Sequence, residues 1–437
     1  MNRKHVYGIK FNPTKENGGV VRTFDASGLS YRQQTGEDIT LSDFDKCYPW
    51  SEIKECMICS DGSVIYADSK DLSKKGNIFI EIPCFYFKRT VTGDEEEWLI
   101  CGEQKDGFEI EPWFVNDDGS IAKCRYIAKY EGCNWNNGLV STSGQTPCRR
   151  HTIDEFRDGC KQAGFQLCSV YAYLAIQHLF VVECGTLNSQ ALNSGGSYFP
   201  YSSHKYCLVT ETSFSNTATV PYNPRWEMVD IGATVYFSEQ ISEDITNARI
   251  LTAIKREGDF LHLTLDGAPI HFLAEQTRVF PSAQPTGLCD RMQYVNGRPS
   301  TNEYTSSFLY RGIENIYGNM WECMDGTGYA NLNPHISIFG QLLSYDTPVN
   351  HTYGQSGKGF IAKLGYDPTK PWATFPCLLG GTKDSHYHDE WSTFGNEDSI
   401  LVFGGGWDHF YCNGIFCMRT IDKDSSGWLY GYRAMKL

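Results

Sequence analysis

The sequence predicts an α+β protein in which two helices are followed by a long region of short strands and loops. Aromatic residues make up 14% of the 437 residues, 42 residues are glycine, and only 21% are charged. Large rings fill a twisted core and glycine permits tight turns, so this composition is typical of a compact, loop-rich chain. Only two segments carry helix signals. After Gly185 the sequence is almost entirely short strand patterns separated by Gly, Asn, Ser and Asp turns.

Both helices are predicted from their ends. The first begins with Thr152-Ile-Asp-Glu155, a capping box in which the hydroxyl and the carboxylate each bind a backbone amide of the first turn. It runs to about Gln162 and ends before Gly164. The second begins at Ser169 and ends at Gly185, where the missing Cβ suits a left-handed cap. Because its residues are apolar on most faces, we expect it to be buried.

Strand patterns precede the helices and suggest a domain boundary. Ile78-Phe-Ile-Glu-Ile-Pro-Cys-Phe-Tyr-Phe87 predicts two strands, or one bent strand broken at Pro83. Cys124-Arg-Tyr-Ile-Ala-Lys-Tyr-Glu131 alternates as a strand does. The first ~75 residues are polar and rich in turns. We therefore expect a small β-rich N-terminal module at residues 1–77 and a larger domain at residues 78–437.

Charge and cysteine content exclude several classes of protein. With 38 basic and 52 acidic residues the net charge is −14, so the surface repels nucleic acid and anionic membranes. The longest apolar stretch, Val170 to Cys184, is too short to span a bilayer, and the N-terminus lacks a signal peptide. Seventeen cysteines without a regular spacing indicate reduced thiols. We expect synthesis in the bacterial cytoplasm and no membrane insertion.

Signatures of enzymes and metal sites are mostly missing. Gly354-Gln-Ser-Gly-Lys-Gly359 lacks both the leading glycine and the Ser or Thr of a phosphate loop, and no Gly-x-Ser-x-Gly elbow is present. His386 and His388 are metal-ligand types, but they fall in an expected surface loop. The lone pair Cys56 and Cys59 has no second pair at zinc-finger spacing. We therefore expect no metal, no cofactor and no catalytic residue.

Three short stretches carry a family resemblance. They are Gly312-Ile-Glu-Asn-Ile-Tyr-Gly-Asn-Met-Trp-Glu322, Leu401-Val-Phe-Gly-Gly-Gly-Trp407 and Gly431-Tyr-Arg433. Together they resemble signatures of the formylglycine-generating-enzyme branch of the C-type lectin fold, which implies that fold for residues 78–437. We expect the Gly-Asn pair to form a tight turn, Trp321 to anchor the core, and the three glycines to permit close packing.

Two functional branches share this resemblance. The oxidase branch uses two cysteines five positions apart near the C-terminus, and Cys412 and Cys417 have that separation and could bind copper. They lie further beyond the glycine turn than in those enzymes, and Phe403-Gly-Gly-Gly406 replaces the Arg-Gly-Gly-Ser of the family. A formylglycine-generating-type copper oxidase is therefore the alternative rather than the main hypothesis.

The second branch comprises the variable proteins of diversity-generating retroelements and related phage tail and receptor-binding proteins. Tyr48-Pro-Trp-Ser-Glu-Ile-Lys54, Ile80-Glu-Ile-Pro-Cys-Phe-Tyr-Phe-Lys88, Ala175-Ile-Gln-His-Leu-Phe-Val-Val-Glu183 and Leu187-Asn-Ser-Gln190 resemble phage tail proteins. The resemblance implies a ligand-binding variable region at about residues 401–437, whose adenine-containing codons the retroelement rewrites.

The composition of this region fits such a surface. Asp, His, Phe, Tyr, Cys, Asn and Ser can all be reached from an Asn codon by changing adenines, and Tyr, Ser, Asn and Trp suit adaptable recognition. An ordinary polar loop is the simpler alternative. The candidate ligand-binding residues are Trp407, Asp408, His409, Phe410, Tyr411, Cys412, Asn413, Phe416, Asp422, Asp424, Ser425, Ser426, Trp428 and Tyr430.

The resulting expectation is a non-enzymatic adhesin of a phage or prophage tail that recognises a host cell-surface protein or glycan. The N-terminal module would attach it to the tail or to sister subunits, and multivalent display favours a homo-trimer. The Glu-Pro-Asn and Gln-Pro-Asp triplets of calcium lectins are missing, so calcium-dependent sugar binding is not expected. An invariant structural tail component is a further alternative.

Overall fold

The structure is a computed structural model of the chain. The described residues are 3–31, 42–59, 61–66, 76–193, 195–196, 206–224, 226, 229, 231, 233–238, 247–281, 283–290, 307, 309–330, 333–336, 358–366, 368–393, 399–409 and 413–437.

The prediction of an α+β C-type lectin fold is wrong, because the chain is mostly β. Of the described residues 39% lie in strands and 14% are helical, and they form two α-helices against twenty-nine strands. The strands pair mostly antiparallel and belong to several sheets. The two helices are interruptions within a β protein, since strands both precede and follow them.

The first half of the described chain contains ten strands and both helices. The strands are β1 (Val6–Phe11), β2 (Val21–Phe24), β3 (Lys54–Ile58), β4 (Val64–Ile65), β5 (Asn77–Pro83), β6 (Tyr86–Thr92), β7 (Glu95–Cys101), β8 (Glu109–Ile110), β9 (Cys124–Ala128) and β10 (Gln166–Leu167). The helices are α1 (Ile153–Gln162) and α2 (Val170–Cys184).

The remaining strands divide into a middle group and a C-terminal group. The middle group is β11 (Ser213–Ser215), β12 (Thr217–Pro221), β13 (Thr234–Ser238), β14 (Asn247–Glu257), β15 (Phe260–Leu265), β16 (Ile270–Phe272) and β17 (Arg278–Pro281). The C-terminal group is β18 (Leu309–Tyr310), β19 (Ile313–Glu314), β20 (Trp321–Cys323), β21 (Thr327–Ala330), β22 (Asn333–Ile336), β23 (Lys358–Leu364), β24 (Pro376–Leu379), β25 (Glu390–Ser392), β26 (Ser399–Phe403), β27 (Met418–Asp422), β28 (Tyr430–Tyr432) and β29 (Ala434–Lys436).

Both predicted helices are confirmed. Thr152 and Glu155 form the expected capping box at the start of α1. In α2 the Ser169 side chain accepts a hydrogen bond from the amide of Ala172, and Gly185 ends the helix in the left-handed conformation. Every residue of α2 is buried. The helix therefore lies inside the main core, and most of its residues belong to the apolar cluster there.

The predicted domain boundary at residue 78 falls inside strand β5. In the six-stranded sheet, ordered β10-β29-β9-β5-β3-β4, the earlier strand β3 pairs with β5 from Lys54 opposite Glu81 onward. In the five-stranded sheet, ordered β2-β1-β7-β6-β8, strand β1 pairs with β7 and places Tyr7 opposite Ile100. The first strands of the chain are therefore integral parts of both sheets.

Five of the middle strands form an antiparallel sheet, ordered β12-β15-β14-β13-β17, with a core of its own, while β11 and β16 pair with each other. Two residues from the C-terminal region, Met320 and Trp407, belong to that core. Nine of the C-terminal strands, β20 to β28, form a sheet in which β26 lies between β21 and β27 and also pairs with β20. The loops that follow β26 and β27 thus begin from a buried sheet and end against the middle sheet.

Candidate functional site

The three stretches that carried the resemblance meet at the C-terminal sheet. Strand β20 pairs antiparallel with β26 and parallel with β28, which places Trp321 opposite Tyr430. All five residues of β26 are buried. Trp321 is fully buried in a core cluster, which confirms its predicted role as a core anchor. The segment between β26 and β28 is therefore held at both ends by core strands.

A buried arginine fixes the end of this segment. The Nε of Arg433 donates to both carboxylate oxygens of Glu322, at 2.9 and 3.1 Å. Its two terminal nitrogens donate to the carbonyls of Ala128, Lys129, Glu314 and Asn315. Because the guanidinium is fully buried, these bonds replace the water that it loses. They connect the last strands of the chain to β9 and to the turn that precedes β20.

The Gly-Asn turn has the geometry expected from the sequence. Gly318 and Asn319 both adopt positive φ, 79° and 60°. Asn319 is buried; its amide nitrogen donates to the carboxylate of Glu131, and its oxygen accepts from the amide of Gln284 at 2.6 Å. Desolvation in this dry environment raises the pKa of the Glu131 carboxyl well above its usual range. The turn therefore links β9 to the loop that follows the middle sheet.

The three glycines after β26 permit close packing, as predicted. Gly404 and Gly405 have φ of 86° and 83°, a region that side chains with a Cβ rarely adopt. A Cβ on Gly404 would lie 3.1 Å from the Cα of Tyr317. The amide of Gly318 also donates to the carbonyl of Gly404 at 2.9 Å. The chain can leave β26 only by passing this close to the Gly-Asn turn, and this fixes the position of Trp407.

Aromatic contacts join the two loops of the candidate surface. The ring of Trp407 lies 4.8 Å from the ring of Trp428, measured between centroids. Phe280, from β17, lies 6.5 Å from Trp407 and 6.3 Å from Trp428. Trp407 is only 2% exposed, whereas Trp428 and Phe280 are half-buried. The loop after β26, the loop before β28 and the edge of the middle sheet therefore form one aromatic surface.

Polar residues lie beside these rings. Asp408 and His409 are both half-buried. The Nε2 of His409 is 3.3 Å from the Oε1 of Glu390, and the Nζ of Lys358 is 3.1 Å from the same oxygen. Burial raises the pKa of the Asp408 carboxyl, although His409 and the guanidinium of Arg419 oppose this effect. Acidic and basic groups alternate here, so no single sign of charge dominates.

The turn after β27 supplies the most exposed candidate residues. Asp422, Asp424 and Ser426 are exposed, and Ser425 is half-buried. The amide of Ser425 donates to the carbonyl of Asp422 at 2.9 Å, and the amide of Asp424 donates to the Asp422 side chain at 3.0 Å. These local bonds define the turn and leave its other side chains facing solvent.

Four of the predicted site residues are buried. Phe416 is fully buried with its ring 5.1 Å from that of Tyr387, and Asn413 and Tyr430 are 1% and 7% exposed. The amide of Phe416 donates to the buried carboxylate of Asp389 at 2.8 Å, which turns this part of the loop inward. Phe416 and Tyr430 are therefore packing residues, and Trp407 contributes mainly to the core. Phe410, Tyr411 and Cys412 lie outside the described residues.

Some residues of the surface were missed by the sequence analysis. Phe280, Lys358 and Glu390 lie on other strands, and only the tertiary fold brings them beside Trp428 and His409. The local sequence of Phe280 fits an ordinary strand pattern, and Lys358 stands in a stretch that was set aside as an incomplete phosphate loop. Trp321 was predicted only as a core anchor, but its ring also lies 5.0 Å from the ring of His409, measured between centroids.

Cys417 is fully buried, and within the described ranges no three His, Cys, Asp or Glu residues are grouped so as to hold a metal ion. Likewise, neither described helix has the length and apolar content that crossing a bilayer needs. The chain matches no protein-family model and no curated protein.

Proposed function

We propose that this protein is a non-enzymatic receptor-binding protein of a phage or prophage tail, whose C-terminal surface recognises a molecule on the host cell. In this proposal the contact residues are the exposed and half-buried members of the predicted set. They are Asp408, His409, Asp422, Asp424, Ser425, Ser426 and Trp428, with Phe280 at the edge.

The observation that carries the proposal is the contact between Trp407 and Trp428. Their rings lie 4.8 Å apart, although 20 positions of sequence separate them, and this joins two loops into one surface. The first loop starts from the fully buried strand β26 and the second from the mostly buried strand β27, and they are fixed by glycine packing and by Arg433. A rigid scaffold that presents variable polar and aromatic side chains on loops is the usual arrangement in recognition proteins.

The separation of buried from exposed residues also supports diversification by a retroelement. Strand β26 and the residues around Phe416 are buried, whereas most residues from Asp422 to Trp428 are accessible. Codon changes in the accessible positions would alter the contact surface with little effect on packing. Changes in the buried positions would leave cavities or introduce clashes.

Cell binding by the full-length protein tests the proposal. The fluorescently labelled protein is mixed with a panel of bacterial strains related to the source, and bound fluorescence is measured by flow cytometry. We expect Trp428→Ala to lower binding to the recognised strain at least tenfold, because aromatic anchors dominate interfaces. The matched control is Phe214→Ala, since Phe214 is 71% exposed on β11 and outside the surface.

The control variant should bind as the wild type does, and both variants should keep the wild-type melting temperature within a few degrees. Equal binding by the wild type and Trp428→Ala would contradict the proposed surface. Failure of the wild type to bind any strain of its host range would contradict the receptor-binding function itself.

A further inference from the structure

Two cysteines are held close together by the segment that joins β9 to α1. The amide of Cys148 donates to the carbonyl of Gly132 at 2.7 Å, and Gly132 directly precedes Cys133. Standard backbone geometry on either side of this hydrogen bond limits the distance between the two cysteine Cα atoms to about 7 Å. Cα atoms joined by a disulfide lie about 4.4 to 6.8 Å apart, so the backbone already has nearly the spacing that the bond needs.

The two thiols also share a neighbour, the side chain of Tyr432. The hydroxyl of Tyr432 donates to the carbonyl of Cys133 at 2.6 Å. Burial, together with the neighbouring sulfur atoms of Cys160, Cys133 and Cys148, raises the pKa of this hydroxyl well above its ordinary value. Cys148 packs against the core cluster that contains Tyr432. Both cysteines are free thiols in the structure, beside the same aromatic ring.

The segment between these cysteines, which we call the 133–148 loop, supports the candidate surface. The amide of Thr286, in the segment that follows β17, donates to the carbonyl of Gln145 at 2.9 Å. Just beyond the second cysteine, the amide of Arg150 donates to the carbonyl of Gly427, in the loop before β28, at 3.3 Å. A covalent link at the base of the 133–148 loop would therefore restrain two of the segments that carry the surface.

Cys148 is the thiol that an oxidant reaches first. It is half-buried, whereas Cys133 is 1% exposed. The thiolate of Cys148 attacks a low-molecular-weight disulfide, RSSR, to form a mixed disulfide and release one thiolate RS⁻. The thiolate of Cys133 then attacks the sulfur of Cys148 and releases the second RS⁻. In total the two protein thiols lose two protons and two electrons, and one RSSR is reduced to two RSH.

We propose that Cys133 and Cys148 form a redox modification site, which stays reduced in the cytoplasm and becomes a disulfide when a low-molecular-weight disulfide oxidises the released protein. Reducing conditions keep thiols free inside cells, whereas disulfides persist outside them. The bond stabilises the fold because it limits the freedom of the unfolded chain. The inference goes beyond the proposed function, since it concerns these thiols and not the ligand.

Burial makes this reaction slow at neutral pH. It raises the pKa of the Cys148 thiol to about 12, with a smaller contribution from Cys133, and the pKa of the Cys133 thiol to about 11. Only the thiolate attacks a disulfide. Below these pKa values the thiolate fraction, and with it the rate of oxidation, therefore rises about tenfold for each unit of pH.

Peptide mapping of the oxidised full-length protein tests the proposal. The native protein is incubated with oxidised glutathione at pH 7 and pH 8, the remaining thiols are blocked with N-ethylmaleimide, and the protein is digested without reduction. We expect mass spectrometry to find peptides joined through Cys133 and Cys148, formed about ten times faster at pH 8. A link from Cys148 to Cys160 instead, or both thiols still blocked after prolonged oxidation, would overturn the proposal.

Substitutions test what the bond does to stability. Oxidation should raise the melting temperature of the wild type by several degrees, and Cys148→Ser should lose this rise. The matched control is Cys377→Ser, because Cys377 is also half-buried, with its pKa raised by burial to about 11, but lies on β24. The control should keep both the linked peptides and the rise. An equal rise in Cys148→Ser would show that another bond is responsible, and would overturn the assignment.

Discussion

Asp408 shows how one residue of the site can reduce stability. Its carboxyl is poorly solvated, its Oδ1 has no hydrogen-bond partner, and burial raises its pKa. A group whose pKa is higher in the folded than in the unfolded state binds protons more readily when folded. Stability is therefore lost as the pH rises above the unfolded value of about 3.8, until the folded pKa is passed. Such costs are typical of binding sites.

This reasoning predicts the behaviour of Asp408→Asn. The amide has nearly the same shape but cannot ionise, so the variant avoids the cost of charging a buried carboxyl. We expect it to be more stable than the wild type at pH 7, by about 1 kcal/mol, and to lose this advantage at pH 3. Thermal unfolding across this pH range measures the difference.

Asp424→Asn provides the matched control for that experiment. Asp424 is exposed in the turn after β27, so the same chemical change there removes no desolvated charge. Its melting temperature should differ little from that of the wild type at either pH. An Asp408→Asn variant that is less stable than the wild type at pH 7 would show that the charge of Asp408 is stabilised in the fold.

At the level of single elements, the correct predictions came from signals between residues that are close in sequence. The capping box at Thr152 and the glycine cap at Gly185 predicted both helices, because those hydrogen bonds form between residues close in sequence. The strands on either side of Cys84 were also expected. The fold class was missed because it depends on how many short strands pair over long distances, and local patterns do not report this.

The candidate surface was predictable only in part. The segment after the three glycines was identified from its composition and resemblance; there Asp422 to Ser426 are exposed or half-buried, and Asp408, His409 and Trp428 are half-buried. Phe416 was predicted as a contact residue but is buried, because its amide donates to the carboxylate of Asp389 in a distant segment. Phe280 could not be found from sequence, since its contacts with Trp407 and Trp428 are purely tertiary.

The loops between β26 and β28 lead to a prediction about the gene. If a retroelement diversifies this region, sequences from a population should vary at adenine-containing codons for exposed positions such as Asp422, Asp424 and Ser426. The buried strand β26 and Phe416 should stay constant, because substitutions there cost stability. Sequencing the 3′ end of the gene and its flanks across the source population measures this pattern.

In that case a near-copy of the last ~100 bases of the gene should lie close to a reverse transcriptase gene. A copy of this length would cover about the whole stretch of DNA that encodes the predicted variable region. The codons of the buried strands β5 and β9 serve as the internal control, since they lie far from the variable region and should not vary. Invariant codons throughout, without a template copy, would leave a receptor-binding protein with a fixed surface.

For the whole molecule, the N-terminal strands decide whether the chain divides into independent parts. Tyr7 on β1 lies opposite Ile100, and Lys54 on β3 lies opposite Glu81. The indole of Trp50 is buried and donates to the carbonyl of Leu179 in α2 at 3.3 Å. The earliest strands thus complete two sheets and cover the central helix, so the first 77 residues and the rest of the chain share one structural core.

We therefore expect a fragment of residues 78–437 to lose cooperative unfolding. Without β1 and β3, strands β7 and β5 would present unpaired edges, and the apolar surface around α2 would be exposed. Scanning calorimetry of the fragment should show no sharp transition. Coexpression with residues 1–77 as a separate chain is the control, and it should restore a transition because the same strands can pair in trans. A fragment that alone melts sharply at the wild-type temperature would show instead that the N-terminal strands are an accessory layer.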